Sequence, residues 1–183
     1  MCLAALALNA DSRFPVVIAA NRDEYFARSS EPMAWWQARG MALLAGRDLA
    51  GGGTWLGLNR AGRLALLTNV REPSRHLPDA PSRGSLVIDW LASELDAARF
   101  GATLAPGYNG FNLITADLRR GAWHWLSNRT AAPLALPNGI HALSNALPGT
   151  PWPKTEALRA AVATALGRAG SVAQLTDDLL VAL

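Results

Sequence analysis

The single cysteine of the chain is its second residue, and this position gives it two reactive groups. If Met1 is removed, as is usual before a small second residue, Cys2 carries a free thiol and a free α-amine. Their ordinary pKa values are about 8.5 and about 8, so the amine is partly neutral at cellular pH and can accept the thiol proton. Cys2 is therefore a candidate nucleophile with its own base. A retained Met1 would acylate the nitrogen and prevent this chemistry. The alternative is that Cys2 is a small buried hydrophobe, which is what most lone cysteines are.

Four consecutive polar residues, Asn21-Arg22-Asp23-Glu24, follow the apolar run VVIAA. Residues 2–9 and 16–21 read as strands, and the Asn, Asp, Ser and Pro between them are typical of a turn. The predicted hairpin places the polar group at the same end as Cys2. We expect Asp23 to orient the α-amine, and Asn21 and Arg22 to bind an anionic substrate group. Without Cys2 nearby, the same residues would be a solvated hairpin end whose ion pair contributes little.

Seven tryptophans are many for 183 residues, and the simplest role for most of them is core packing. The adjacent Trp35 and Trp36 are less easily buried together. We expect Trp36 to line a groove for an apolar ligand, with Arg28 and Arg22 meeting the acidic group of that ligand.

Metal and cofactor chemistry have no support in the sequence. One cysteine cannot form a Cys-based zinc site, and the three histidines are far apart along the chain. Gly51-Gly52-Gly53 lacks the GK[ST] ending of a phosphate-binding loop, so a tight turn is the preferred interpretation. We expect no metal and no cofactor.

The charge pattern does not indicate a nucleic-acid-binding protein. Seventeen basic and fourteen acidic residues give a net charge of +3, and the arginines are scattered without a basic, aromatic-rich stripe. No apolar run reaches the 18 or so residues of a membrane helix, and the apolar start lacks a basic n-region and a cleavage site. The sequence predicts no nucleic-acid partner, no stable membrane insertion and a cytoplasmic location, and leaves the oligomeric state open.

The predicted elements run in the order strands, helix, strands, helices, which is typical of an α+β protein with antiparallel sheets built from hairpins. We expect one domain over residues 1–183. Residues 31–39 are predicted as a short helix or an irregular loop. The remaining predictions are strands at 54–59, 63–70, 110–118, 122–128 and 140–147, and helices at 85–100, 154–168 and 171–183.

Several longer motifs resemble those of one known family. They are Cys2, ANRDEY (20–25), GGTWLG (52–57), LLTN (66–69), YNGFNLI (108–114) and LSNALPGTPWPK (143–154). In this order, and over essentially the whole chain, they resemble the NRDE family of homologues of Transport and Golgi organization protein 2. The resemblance implies an N-terminal nucleophile hydrolase-like αββα fold, with two antiparallel sheets between helices. It also implies further strands beyond residue 183, so we expect this chain to be C-terminally incomplete.

The choloylglycine hydrolase and penicillin V acylase group of that superfamily is similar in its site motifs, and it cleaves amides with an N-terminal Cys. This similarity implies that Asn21 and Asp23 match its N-x-D motif. It also implies that Asn69 and Asn145 hold the oxyanion, a role that suits amide donors. Where that group has an Arg before its Asn, this chain has Ala20.

Two functions remain open from the sequence. The first is an N-terminal-Cys amidohydrolase that acts on a non-peptide amide. The alternative is a non-catalytic protein that binds and traffics haem or an acyl-CoA-like lipid.

Overall fold

The computed structural model describes residues 2–183, so the expected removal of Met1 concerns a residue outside this part. The chain comprises two compact units. The first, here called the terminal unit, contains residues 2–23 and 137–183, and the second, the central unit, contains residues 24–136. Each unit has one antiparallel sheet and two helices, which confirms the predicted α+β class. The expectation of a single domain stays a prediction.

The strands and helices are numbered in chain order. They are β1 (Cys2–Leu8), β2 (Val16–Arg22), β3 (Ser30–Ala38), β4 (Met41–Asp48), β5 (Leu56–Asn59), β6 (Arg63–Asn69), α1 (Gly84–Ala92), α2 (Ala97–Thr103), β7 (Phe111–Asp117), β8 (Ala122–Ser127), β9 (Leu134–Ala135), β10 (Gly139–Leu143), α3 (Pro153–Arg168) and α4 (Val172–Ala182). A short 3₁₀ helix lies at Pro73–Arg75.

The terminal unit is a three-stranded sheet in the order β10-β1-β2, with α3 and α4 packed on one face. Because side chains alternate along a strand, Leu3, Ala5 and Ala7 of β1 face these helices. Cys2 lies on the opposite face together with Ala4, which is also buried. The predicted hairpin is confirmed, since Cys2 pairs with Arg22 across β1 and β2.

Arg13, in the turn between β1 and β2, holds the end of α3. Its Nη1 donates to the carbonyl of Ala169 at 2.7 Å, and its Nη2 donates to that of Leu166 at 2.8 Å. The last carbonyls of a helix lack partners within the helix and carry its negative dipole end, so a guanidinium is favourable there. Asp11 accepts from Arg13 Nε and Nη2 at 3.0 and 2.7 Å.

Arg13→Ala is expected to lower the melting temperature. Because Arg13 pairs with the Asp11 carboxylate, the stability lost in this variant should depend on pH. Arg13 lowers the pKa of Asp11 from 3.8 to about 2. The paired carboxylate therefore contributes stability that is fully present above pH 3.8 and is lost as the pH falls through about 2. Urea unfolding at pH 6 and at pH 2 should show a larger difference between wild type and variant at pH 6. An equal difference at both pH values would contradict the pairing.

The central unit is a seven-stranded antiparallel sheet in the order β3-β4-β5-β6-β7-β8-β9, with α1 and α2 packed on one face. The strands predicted from 54 to 128 are confirmed, with ends that differ by one or two residues. The prediction of a helix or loop at 31–39 is wrong. Residues Ser30–Ala38 form β3, whose pairing with the unpredicted β4 fixes them as an edge strand.

The predicted helix at 85–100 is two helices. Ser93 ends α1, and its hydroxyl accepts from Leu95 N–H at 2.9 Å, a local bond that competes with continuing the helix. Asp96 then caps α2 by accepting from Arg99 N–H at 2.8 Å.

Gly53, within the GGTWLG motif, is where the backbone approaches the start of α1. A Cβ at Gly53 would lie 2.5 Å from the carbonyl carbon of Gly84, and one at Gly84 would lie 3.1 Å from Thr54 N. Thr54 N–H also donates to the Gly84 carbonyl at 3.3 Å. The glycines therefore let two backbone segments of the central unit touch.

Gly53→Ala is expected to destabilise the fold by about 1–3 kcal/mol, because the methyl group meets backbone rather than a movable side chain. Chemical denaturation measures this difference. Gly167→Ala in α3 is the matched control: a Cβ there meets nothing within 4 Å, so helix propensity should stabilise it by up to about 1 kcal/mol. Equal stability of Gly53→Ala and wild type would contradict the close approach.

Candidate active site

The two residues after β10 hold the backbone of Cys2. The β1–β10 register pairs Ala4 with Leu143, and continuing it brings Ser144 and Asn145 beside Leu3 and Cys2. Cys2 N–H donates to Asn145 Oδ1 at 3.1 Å, and Ser144 Oγ donates to the Cys2 carbonyl at 2.6 Å. Ser144 Oγ also lies 3.3 Å from Asn145 Oδ1. We call Ser144 and Asn145 the Cys2 clamp.

The clamp is buried. Exposure is 8% for Cys2, 3% for Ser144 and 5% for Asn145. Buried polar groups are costly unless they are hydrogen-bonded, so these bonds fix both the nitrogen and the carbonyl of Cys2. In the chain that begins at Met1, the nitrogen is a peptide amide. After removal of Met1 it is an α-amine, which can donate one hydrogen to Asn145 and keep its lone pair for the thiol proton.

Arg22 and Asp23 lie at the end of the sheet that holds Cys2, as predicted. Arg22 is the cross-strand partner of Cys2, so both side chains belong to the same face. Asp23 follows directly after β2 and is exposed. The roles expected for them, orientation of the amine by Asp23 and substrate binding by Arg22, stay predictions.

Asn21 lies on the other face of the sheet from Cys2. It pairs with Leu3, and therefore belongs to the face covered by α3 and α4. Its Nδ2 donates to the Leu183 carbonyl at 3.0 Å. The binding of an anionic substrate group by Asn21 stays a prediction.

Three predicted site residues belong to the central unit. Asn69 is the exposed last residue of β6 and pairs with Phe111. Its role in holding an oxyanion stays a prediction. Arg28 donates from Nε and Nη2 to Asp48 at 3.0 and 2.9 Å. The Asp48 carboxylate raises the pKa of Arg28 above its ordinary value, so this guanidinium is held as a charged partner of Asp48.

Trp36, the third of these residues, is partly buried and packs against the core of the central unit. Its Nε1 donates to the Ala45 carbonyl at 3.1 Å, and the Arg47 guanidinium lies 5.2 Å from the ring centroid. Trp35 points to the other face, as alternation in β3 requires, and is 47% exposed. Ligand binding by Trp36 stays a prediction.

Sequence reasoning missed two buried polar groups. Ser144 directly precedes the predicted site residue Asn145. The signal that could have identified it is that the LSNALPGTPWPK motif carries a second hydrogen-bonding side chain beside Asn145. The other group lies in the central unit, where Asn112 Nδ2 donates to Thr68 Oγ1 at 3.1 Å and Trp125 Nε1 donates to Asn112 Oδ1 at 3.1 Å. A polar residue in the middle of the apolar run FNLI was the available signal for Asn112.

Over residues 2–183, no group of three or more His, Cys, Asp or Glu side chains could hold a metal ion. Within this described part, each helix is too short or too polar to cross a bilayer.

Comparison with known structures defines the class of fold. The chain is similar to the Caenorhabditis elegans N-acylethanolamine-hydrolyzing acid amidase ortholog, with a TM-score of 0.61 over 97% of this chain and 85% of that one. The identity is 12%, so this likeness concerns the fold alone. It confirms the predicted N-terminal nucleophile hydrolase-like fold.

Sequence comparison identifies the family. The family model described as Transport and Golgi organisation 2 matches residues 1–183, and the chain belongs to this family. It is 39% identical to the Transport and Golgi organization 2 homolog of Mus musculus and 37% identical to the homolog of Homo sapiens, each over 151 residues. These alignments cover 77% of this chain and 54% of each relative, so the chain spans about half the length of these relatives.

Proposed function

We propose that this protein is an N-terminal-Cys amidohydrolase that acts on a non-peptide amide. The observation that carries the proposal is the 3.1 Å hydrogen bond from the Cys2 nitrogen to Asn145 Oδ1. An amine that must act as a base needs a fixed orientation, and the Cys2 clamp supplies one on a rigid strand.

The proposed reaction begins with transfer of the Cys2 thiol proton to the neutral α-amine. The sulfur attacks the amide carbonyl carbon and forms a tetrahedral oxyanion. The C–N bond then breaks, and the leaving amine takes the proton from the α-ammonium, which leaves a thioester on Cys2. Water attacks this thioester with the amine again accepting a proton. The carboxylic acid is released, and the sulfur is reprotonated.

The oxyanion needs hydrogen-bond donors that are in place before the reaction. We assign this role to the amide Nδ2 of Asn145. Asn145 then has two functions, because its Oδ1 orients the nucleophile while its Nδ2 faces the developing charge. Asp23 is assigned to the orientation of the α-ammonium formed in each half of the reaction.

The proposed substrate is a small amide with an apolar acyl group. Support comes from the similar C. elegans protein, which is named for hydrolysis of N-acylethanolamines. We place the reaction in the cytoplasm, without a nucleic-acid partner.

Intact mass and a covalent probe test this function. Protein from its native host should lack the mass of one methionine. An amide-type electrophilic probe should then add its acyl mass to Cys2 and leave Cys2→Ala unmodified. Retention of Met1 in the native protein, or equal labelling of wild type and Cys2→Ala, would overturn the proposal.

The second candidate function is non-catalytic binding of haem or an acyl-CoA-like lipid. The observation that favours it is a set of exposed apolar side chains in the central unit, comprising Tyr25, Phe26, Met33 and Trp35. Haem titration should produce a Soret shift, or palmitoyl-CoA should raise the melting temperature, and Phe26→Ser should weaken either response. No response to either ligand in the wild type would remove this candidate.

A further inference from the structure

The central unit contains an open pocket of about 490 Å³ at one end of its sheet. Four segments form it: the turn between β3 and β4, the turn between β5 and β6, the turn between β7 and β8, and the C-terminal end of α1. The β5–β6 and β7–β8 turns are neighbours, since Leu118 N–H donates to the Gly62 carbonyl at 2.8 Å. The backbone therefore fixes the walls, and the side chains at the turns determine what the pocket accepts.

Arg63 is the buried member of this pocket and is only 8% exposed. Its Nε donates to the Trp90 carbonyl at 3.1 Å and its Nη2 to the Leu95 carbonyl at 2.8 Å. The guanidinium carbon lies 3.7 Å from the centroid of the Trp90 ring. These contacts place the charge against neutral groups, and across residues 2–183 no carboxylate forms an ion pair with it. Burial lowers the pKa of Arg63, while the charges of Asp117 and Glu94 act in the opposite direction without forming an ion pair with it.

Three further arginines line the same pocket. Arg39, Arg119 and Arg120 are exposed, and Arg120 lies 3.6 Å from Asp117. The acidic lining residues are Asp117 and Glu94, and Arg39 also pairs at 2.6 Å with Asp89, which does not line the pocket, so four arginines face three carboxylates. The excess of positive charge surrounds a guanidinium that is already buried.

We propose that this pocket, which we call the arginine pocket, binds a small molecule through a phosphate or carboxylate group. Guanidinium groups present paired N–H donors that match the oxygens of both anions, and an anion beside Arg63 would compensate its buried charge. The volume exceeds that of a single phosphate ion, so the ligand carries additional atoms or a second anionic group. The inference does not depend on the proposed hydrolase activity, because none of the residues that line the pocket has a role in the proposed reaction.

Calorimetric titration at fixed ionic strength tests this site with pyrophosphate and citrate, which represent the two anion classes. At least one of them should bind with one site per chain. The double variant Arg119→Ala/Arg120→Ala should bind it about tenfold more weakly or worse, since it loses two charged donors at an exposed edge. Arg99→Ala is the matched control, because Arg99 is an exposed arginine of α2 that does not line the pocket. This variant should bind the anion with the same affinity as the wild type.

The two titrants also identify the ligand chemistry. Binding of pyrophosphate alone assigns a phosphate-bearing ligand, and binding of citrate alone assigns a polycarboxylate. Arg63→Met should abolish binding if the variant folds, as circular dichroism would show; if it does not fold, the double variant decides. Failure of both anions to bind, or an equal loss in Arg99→Ala and the double variant, would overturn the proposal.

Discussion

A chain that carries one extra alanine before Cys2 is expected to lose about 10²–10⁴-fold in its rate of amide hydrolysis, the usual contribution of a positioned general base. The extra residue converts the Cys2 nitrogen from an amine into an amide, which has no basic lone pair. The thiol, the clamp residues and the rest of the site stay the same. Cys2 N–H can still donate to Asn145 Oδ1 as it does at 3.1 Å in the structure.

The comparison uses one fusion protein that can be cleaved at either of two peptide bonds. Cleavage at the first gives a product with one alanine before Cys2, and cleavage at the second gives a product that begins at Cys2. Acyl transfer to Cys2 is followed by mass spectrometry, and melting temperatures verify that both products fold equally. Cys2→Ser with a free amine separates the contribution of the sulfur from that of the base. Equal acylation rates for the two products would show that the Cys2 nitrogen is not the base, even if the sulfur is the nucleophile.

The sequence was sufficient to predict how the polypeptide brings Cys2 to its polar neighbours. A β-branched run, a turn of Asn, Asp, Ser and Pro, and a second apolar run define a hairpin whose ends must meet, and Cys2 pairs with Arg22 as this requires. Asn145 was predicted through the motif LSNALPGTPWPK. The hydrogen bond through which it holds Cys2 depends on the β1–β10 register, which joins residues about 140 positions apart.

The remaining errors come from tertiary context. β3 is a strand because β4 offers it a pairing edge, while its local sequence is ambiguous, since tryptophan favours a strand and Pro32 disfavours one. The face of the sheet on which Asn21 lies, opposite to Cys2, follows from the alternation of side chains along β2, and its substrate-binding role stays a prediction. The buried Arg63 has no local signal, since its burial results from the packing of α1 against β6.

Asn145→Asp is expected to change both the rate and the pH dependence of the proposed reaction. The carboxylate keeps an oxygen as acceptor for the Cys2 nitrogen at the position of Oδ1. It loses the Nδ2 donor, and loss of one oxyanion donor costs about 10²–10³ in rate. The new negative charge also stabilises the α-ammonium, so the pKa of the amine rises.

The sign of the pH effect follows from the form of the amine that reacts. Only the neutral amine accepts the thiol proton, so a higher pKa moves the rising, acidic side of the pH–rate profile to higher pH. Asn145→Ala removes the same donor without adding a charge, and should show a similar loss of rate with no such shift. It should also be less stable by about 1–3 kcal/mol, because a buried N–H loses its acceptor.

Rates of acyl transfer from pH 5 to pH 10 for the wild type and both variants provide the measurement. Asn138→Asp is the matched control, since Asn138 is an asparagine of the same unit that accepts from Asn9 Nδ2 at the surface. Its rate and profile should match those of the wild type. A profile of Asn145→Asp that coincides with that of the wild type would mean that Asn145 does not face the amine during the reaction. The Cys2 clamp would then be only a structural support for β1.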